Sequence, residues 1–90
     1  MVKKTITIIS EEGLHARPAS LLAKAAMKFK SELSMYREDE TNKKYQPKSI
    51  LSIMSLGASK GDQITFVAEG EDESFAISKM EELIQSDFNV

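Results

Sequence analysis

Ninety residues, of which 41% are apolar, provide enough material for one domain (residues 1–90) with a single modest core. Twelve lysines and arginines against fourteen aspartates and glutamates give a net charge of −2, so the chain lacks the basic excess typical of nucleic-acid-binding proteins. The absence of cysteine excludes a disulfide framework and a thiolate site, and no apolar run approaches membrane-spanning length, so we expect a cytoplasmic protein without membrane insertion.

A strand followed by a helix is predicted at the start of the chain. Residues 2–10 alternate in a stretch rich in β-branched side chains, with Ile6 and Ile8 on one face. Gly13 permits a turn. From residue 16 to about residue 30, apolar side chains recur at helical spacing and predict the first helix. They are Ala19, Leu22, Ala23, Ala26 and Phe29.

A second strand and a hairpin are predicted next. Residues 31–37 alternate again between apolar and polar side chains. The polar residues 38–44 are interpreted as a loose hairpin connection to a short third strand at Tyr45. Pro47 cannot donate a hydrogen bond to a sheet, so this strand should stop before it.

A short second helix is predicted over residues 50–54. Ser49 directly before it is a residue type favoured at helix N-caps. Gly57 can end the helix because glycine readily adopts the left-handed conformation found there.

A fourth strand and a last helix complete the predicted order βαββαβα. Residues 64–69 alternate after a turn signal at residues 60–62. The acidic residues 71–73 suit the first turn of a helix, whose dipole favours negative charge there. Strands with one apolar face and amphipathic helices predict an α+β fold of two layers, with helices on one face of an antiparallel sheet. The apolar stripe of the last helix comprises Ala76, Ile77, Met80, Leu83 and Ile84.

The single histidine, His15, stands where the first strand pattern ends and the first helix pattern begins. Pro18 suits the first turn of that helix, where a backbone N–H lacks an intrahelical partner. Free N–H groups, the positive end of the helix dipole and the guanidinium of Arg17 would form a site suited to a phosphate or other anion. Taken singly, however, a lone histidine is more often a surface residue or a cap, and an arginine more often a solvated helix residue.

Two separated motifs resemble the HPr family, the histidine-containing phosphocarriers of the bacterial sugar phosphotransferase system. They are residues 13–19 (GLHARPA) and residues 48–57 (KSILSIMSLG), and residues 70–73 (GEDE) match as well. The resemblance spans nearly the whole chain. It implies an open-faced sandwich with the sheet order 1-4-2-3.

The resemblance also implies a reaction at His15. In the family this histidine accepts a phosphoryl group on Nδ1 from phospho-enzyme I, which phosphoenolpyruvate charges, and passes it to the EIIA unit of a sugar transporter. Arg17 matches the motif arginine. A neutral imidazole, with a reference pKa of about 6.5, is a competent nucleophile near neutral pH. No cofactor or metal is implied, and we expect a carrier that needs its partners rather than an autonomous enzyme.

Ser49 has a structural interpretation as an N-cap and a second one from the resemblance. In low-GC Gram-positive bacteria the family serine is phosphorylated by HPr kinase/phosphorylase, and the product binds a catabolite control protein. A phosphate there adds a charge of about −1.5 to −2 where the helix dipole accepts it, so we expect an altered docking surface rather than an unfolded helix. The chain departs from the usual family pattern at Pro47 and at Leu51, where methionine or phenylalanine is more usual.

A docking surface for enzyme I and EIIA is expected beside His15. A helical period cannot bury every apolar residue of the second helix, so some should be exposed, and the resemblance assigns them to partner contact. The alternative is that they are core residues or scattered surface groups, which are common. The expected contact residues are Ser20, Leu21, Lys24, Lys48, Ile50, Leu51 and Met54.

Two further functions are compatible with the sequence. One is a regulatory paralogue that acts through phosphorylated Ser49 and takes little part in sugar transport; known paralogues of this kind lack the histidine, which this chain keeps. The other is a carrier for a nitrogen-related relay, a group that typically lacks the serine kinase motif.

Overall fold

The computed structural model describes residues 1–89 and has seven elements of regular secondary structure within them. The four strands form one antiparallel sheet in the order β1-β4-β2-β3. This confirms the predicted α+β sandwich and its element order. The elements are β1 (Val2–Thr7), α1 (Ala16–Ala26), β2 (Glu32–Arg37), β3 (Glu40–Tyr45), α2 (Ile50–Leu56), β4 (Gln63–Glu69) and α3 (Glu73–Gln85).

The core lies between one face of the sheet and the three helices. Alternate strand residues point to this face, and the register sets Ile6 opposite Ile64 and Met35 opposite Phe66. These four side chains are buried in one cluster with the predicted apolar stripe of α3 and with Ala19, Leu22, Ala23 and Ala26 of α1. Most strand residues between those of the cluster are exposed or half-buried, with Thr65 a buried exception, and the helices pack against the face that carries the cluster.

The first helix is shorter than its apolar pattern predicts. It ends at Ala26, and the N–H groups of Lys28 and Phe29 then donate to carbonyls only three residues back. The carboxylate of Asp72 accepts a hydrogen bond from the N–H of Lys30 at 2.8 Å, which turns the chain towards β2. Phe29 is nevertheless half-buried against the core. Its place in the periodic pattern therefore predicted its packing correctly, although the residue is not helical.

The predicted loose hairpin over residues 38–44 is wrong. Glu38 and Asp39 form a tight turn, and β3 begins directly after it at Glu40. Only Tyr45 of this strand is buried, because β3 is an edge strand with its other side chains in solvent. An exposed, charged edge strand resists pairing with other chains but has no apolar alternation from which it could be predicted.

Both predicted ends of α2 are confirmed. Ser49 is its N-cap and accepts a hydrogen bond from the N–H of Ser52 at 3.2 Å. Gly57 ends it in the left-handed conformation with φ = 67°. None of the helices within residues 1–89 has the length and apolar character needed to cross a bilayer.

Helices α1 and α2 run antiparallel, so the start of each lies beside the end of the other. The Leu14 N–H, just before α1, donates at 3.0 Å to the carbonyl of Ala58, just after α2. At the other end, the ammonium of Lys48, just before α2, donates at 2.9 Å to the carbonyl of Phe29, just after α1. The start of α1 therefore lies beside the end of α2, and Ser49 lies at the far end of the helix pair.

We expect Gly13→Ala to destabilise the fold more than Gly61→Ala. Gly13 has φ = 67°, and an added Cβ would collide with the carbonyl oxygen of Ala58. We therefore expect a loss of about 3 kcal/mol in the free energy of unfolding, the sum of backbone strain and overpacking.

Gly61 is the matched control, since it also has positive φ but no heavy atom within 4 Å of an added Cβ. Its substitution should cost only the strain, about 1 kcal/mol. Urea unfolding followed by circular dichroism measures both values, and equal losses would show that the contact with Ala58 is unimportant.

Candidate functional site

His15 is the N-cap residue of α1, as predicted. Its backbone is extended, with φ = −116° and ψ = 165°, and its carbonyl accepts the N–H of Ala19 at 3.4 Å. The imidazole is exposed and makes no capping hydrogen bond. The ring nitrogens are therefore accessible to a group presented from outside the molecule.

The backbone directly after His15 is strained. Ala16 has φ = 45°, in the left-handed region that non-glycine residues rarely adopt. Within residues 1–89, neither the N–H of Ala16 nor that of Arg17 donates to an acceptor, and Pro18 has no N–H. The helix start thus presents two unpaired donors beside the imidazole, an arrangement suited to an anion.

Arg17 lies in the first turn of α1, but its guanidinium is directed to the segment after α3. One terminal N–H donates to the carbonyl oxygen of Phe88 at 3.1 Å. Within residues 1–89, the guanidinium makes no hydrogen bond to His15, so the convergence expected from the sequence stays a prediction, although Arg17 lies only two residues after the histidine. A guanidinium has five N–H groups, and this bond uses one of them.

Sequence reasoning assigned no role to Phe88. The structure buries its side chain in the core. A signal was present in the sequence, because residue 88 follows Ile84, the last residue of the predicted stripe, by four positions. Its carbonyl contact with Arg17, 71 residues away, had no local signal.

Apolar side chains are exposed on α2, as predicted. Ile50, Leu51 and Met54 are 42%, 80% and 39% exposed, whereas Ile53 and Leu56 of the same helix are buried. On α1, Ser20 and Lys24 are also exposed, while Leu21 is half-buried against the core. A helix with one face in the core and apolar groups on the other face is typical of a contact surface.

Ser49 and His15 lie at opposite ends of α2. Ser49 is half-buried at the start of the helix, and its hydroxyl oxygen is within 3.2 Å of the N–H of Ser52. The seven residues of α2 correspond to a length of about 10 Å. A modification at Ser49 would therefore change the far side of the exposed α2 surface rather than the imidazole itself.

Lys48, expected to contact a partner, holds the loop between α1 and β2. Its half-buried ammonium donates at 2.9 Å to the carbonyls of both Phe29 and Ser31. Asp72 holds the same loop from the other side. Its carboxylate accepts hydrogen bonds from the hydroxyl and N–H of Ser31 and from the N–H of Lys30, which lower the pKa of Asp72.

The imidazole of His15 is exposed on the surface of the molecule. Two surface depressions of the described part of the chain lie elsewhere and are lined by neither His15 nor Arg17. The same residues contain no group of three or more histidine, aspartate or glutamate side chains placed to hold a metal ion. The histidine is presented on an open surface, which suits a protein partner better than a small substrate.

Comparison with known proteins identifies relatives along the whole chain. A family model described as "PTS HPr component phosphorylation site" matches residues 2–86. The chain is 38% identical over 88 residues to the phosphocarrier protein HPr of Treponema pallidum (strain Nichols), a match that covers 98% of this chain and 97% of that protein.

Solved structures give the same result. HPr-C-His from Thermoanaerobacter tengcongensis is 44% identical and has a TM-score of 0.92, with 100% of this chain and 98% of that chain covered. Crh, a catabolite repression protein of Bacillus subtilis, is 36% identical and has a TM-score of 0.73, with 97% of each chain covered.

We expect Asp72→Asn to lower the free energy of unfolding at neutral pH and to matter less as the pH falls. Because the folded-state pKa of Asp72 is lowered, its carboxylate stabilises the fold fully above the unfolded-state value of about 3.9. The stabilisation is lost as the pH falls through the lower folded-state pKa. Urea unfolding of both proteins between neutral pH and about pH 3 measures the difference.

Glu71→Gln is the control. The exposed carboxylate of Glu71 lies 3.8 Å from the Lys30 ammonium, and an exposed ion pair should contribute little to the free energy of unfolding. If the free energies of unfolding of the wild type and Asp72→Asn differ by the same amount down to pH 3, the role of the Asp72 carboxylate is contradicted.

Proposed function

This chain belongs to the HPr family of phosphocarrier proteins of the phosphotransferase system, and we propose that His15 is the residue that carries the phosphoryl group. The observation that carries the proposal is the exposed imidazole of His15 at the N-cap of α1. It stands within the motif of residues 13–19, beside two backbone N–H groups that have no acceptor among residues 1–89. The protein itself is a carrier and not an enzyme.

The reaction follows from the chemistry of the imidazole. The lone pair of Nδ1 of His15 attacks the phosphorus carried by phospho-enzyme I, and the bond to the enzyme I residue breaks with its electron pair returning to that residue. In the second half, a nucleophile of EIIA attacks the phosphorus, and the phosphorus–nitrogen bond breaks back to the imidazole. No proton needs to leave Nδ1 if the neutral ring keeps its hydrogen on Nε2.

Charge on the transferring phosphoryl group is stabilised by the start of α1. The N–H groups of Ala16 and Arg17 are fixed by the helix, so they need no reorganisation when the anion arrives. The guanidinium of Arg17 adds a full positive charge with several N–H donors. Phosphoryl transfer depends mainly on such positioning and charge stabilisation.

Partner docking is proposed on the exposed side of α2 and the adjoining side of α1. Leu51 is the most exposed apolar residue of α2, and Ile50 and Met54 are the next most exposed. The surface runs along α2 from Ser49 towards the end of the helix, and that end contacts the residue before His15. Enzyme I and EIIA would use it in turn; Ser20, Leu21, Lys24 and Lys48 would form its border.

Ser49 is proposed as a regulatory phosphorylation site for HPr kinase/phosphorylase, with a catabolite control protein as the reader. Its support is its place at the start of α2, where the helix dipole favours a negative group, together with the likeness to Crh. The phosphate would stand at the border of the docking surface. There it would alter partner contacts without touching the imidazole.

The second candidate function is a regulatory paralogue that works mainly through Ser49, and the likeness to Crh favours it. The intact histidine motif and the higher TM-score of the Thermoanaerobacter tengcongensis HPr favour the carrier. Phosphoryl transfer through His15 at a useful rate separates the two.

We expect the wild type to gain one acid-labile phosphoryl group from enzyme I and phosphoenolpyruvate, and His15→Ala to gain none. Arg17→Ala should still be labelled but about 10²-fold more slowly, as is typical for the loss of one charge-stabilising group. Intact mass measurement over time gives both results. Ser78→Ala, on the exposed side of α3, is the control and should match the wild type; a wild type without label, or equal labelling of His15→Ala, would overturn the carrier function.

We expect HPr kinase and ATP to add an acid-stable phosphate that Ser49→Ala lacks. Ser55→Ala is the matched control in the same helix, because Ser55 is exposed and does not cap α2. The loss of the cap should cost Ser49→Ala about 1 kcal/mol, so circular dichroism must show that it is folded. Acid-stable phosphate on Ser49→Ala would refute the assignment.

We expect Leu51→Glu to raise the KM of enzyme I for this protein about tenfold with little change in kcat, because a charge would be buried against an apolar surface of the partner. Phe75→Glu is the control, since Phe75 is 74% exposed but lies on α3, outside the docking surface. Steady-state kinetics with varied concentrations of each variant give the two constants. An equal rise in KM for both variants would show that the exposed side of α2 is not the docking surface.

A further inference from the structure

We propose that Phe88 is a positioning residue for Arg17: its buried side chain fixes the carbonyl that restrains the guanidinium of Arg17 before phosphoryl transfer. The inference rests on the phosphocarrier function proposed for His15 and adds a residue to its machinery. The phenyl ring is 1% exposed and belongs to the core cluster, while the carbonyl of the same residue accepts the Arg17 guanidinium at 3.1 Å. One residue thus links the core to the guanidinium of Arg17, two positions after the histidine.

The chain after α3 takes an unfavourable conformation to achieve this. Asp87 and Phe88 both have positive φ, 56° and 57°, a region that L-residues avoid. The N–H of Phe88 donates at 2.7 Å to the Leu83 carbonyl, and that of Asp87 donates at 3.1 Å to the Ile84 carbonyl. This pattern ends a helix most readily with glycine, so something must offset the strain in its absence.

Burial of the phenyl ring is the available compensation. Phe88 is the last buried residue in residues 1–89, and Asn89 after it is exposed. Without the ring, little would favour two consecutive left-handed residues over a frayed end. The Phe88 carbonyl would then leave the position in which it accepts the Arg17 N–H.

The bond matters because arginine is long and flexible. A free guanidinium samples many rotamers, and ordering it during the reaction costs entropy. The Phe88 carbonyl restricts Arg17 in advance, and since a carbonyl is a neutral acceptor it leaves the positive charge available to the phosphoryl group. Phe88 would therefore act on the rate of transfer and not on the binding of partners.

Transfer kinetics with enzyme I test this effect. We expect Phe88→Ala to lower kcat about tenfold with an unchanged KM, as a small misplacement of a charge-stabilising group would do. Phe88→Leu, which keeps an apolar side chain in the core, should recover most of the rate. Met80→Ala is the control for lost core packing: Met80 is buried in α3 and its variant should transfer normally for its folded fraction.

A double-mutant cycle separates positioning from a general structural effect. If Phe88 acts through Arg17, then adding Phe88→Ala to Arg17→Ala should not slow transfer further. Multiplied effects of the two substitutions would overturn the proposal.

The nitrogen-15 NMR signals of the Arg17 guanidinium provide a readout that needs no phosphoryl transfer. They should move towards those of an unrestrained arginine in Phe88→Ala and stay near the wild type in Phe88→Leu and Met80→Ala. Unchanged signals and an unchanged rate in Phe88→Ala would overturn the positioning role alone, whereas a wild type that accepts no phosphate would overturn the carrier function. If Phe88→Ala does not fold, Phe88→Val is examined in the same way, with the same two outcomes.

Discussion

The hydrogen bond between the Leu14 N–H and the Ala58 carbonyl is the constraint on which the rest of the site depends. It joins the loop before α1 to the end of α2, and it requires the absence of a side chain at Gly13. Because this junction is backbone to backbone, it sets the position of His15 independently of flexible side chains. It also joins the loop that carries His15 to the helix that bears the proposed docking surface, so one contact relates the proposed phosphoryl carrier to that surface.

The residues to which we assign chemical roles lie at helix ends. His15 begins α1, Ser49 begins α2, and Phe88 follows α3, and at each place backbone N–H or carbonyl groups lack intrahelical partners. Helix starts favour negative groups, which suits a phosphoryl group in transit at one start and a regulatory phosphate at the other. The sheet and the buried helix faces supply the rigidity that holds these ends in place, so an HPr-family domain can present the proposed phosphoryl site on an exposed surface.

Much of the fold was predictable because its signals are local. Strand alternation around Ile6 and Phe66, the stripe of α3, and the capping residues Ser49 and Gly57 each appear within a few residues and are all confirmed. The position of His15 at a helix start followed in the same way from the change of periodicity and the proline three residues later. The family motif of residues 13–19 then linked this position to a function.

The remaining features depend on contacts between residues distant in the sequence. Edge strand β3 has no buried face, so its sequence shows no alternation of apolar and polar residues. After α1, the N–H of Lys30 donates to the carboxylate of Asp72, 42 residues away, so the chain leaves the helix earlier than the apolar pattern predicts. The partners of Arg17 and Lys48 are likewise carbonyl groups, which every residue possesses and no sequence pattern marks. The sequence by itself therefore determined the element order, the core and the position of the single histidine at a helix start, since these depend on side-chain type and local spacing. Only the tertiary structure decided which backbone groups hold the charged side chains, because that depends on how the chain ends are brought together in space.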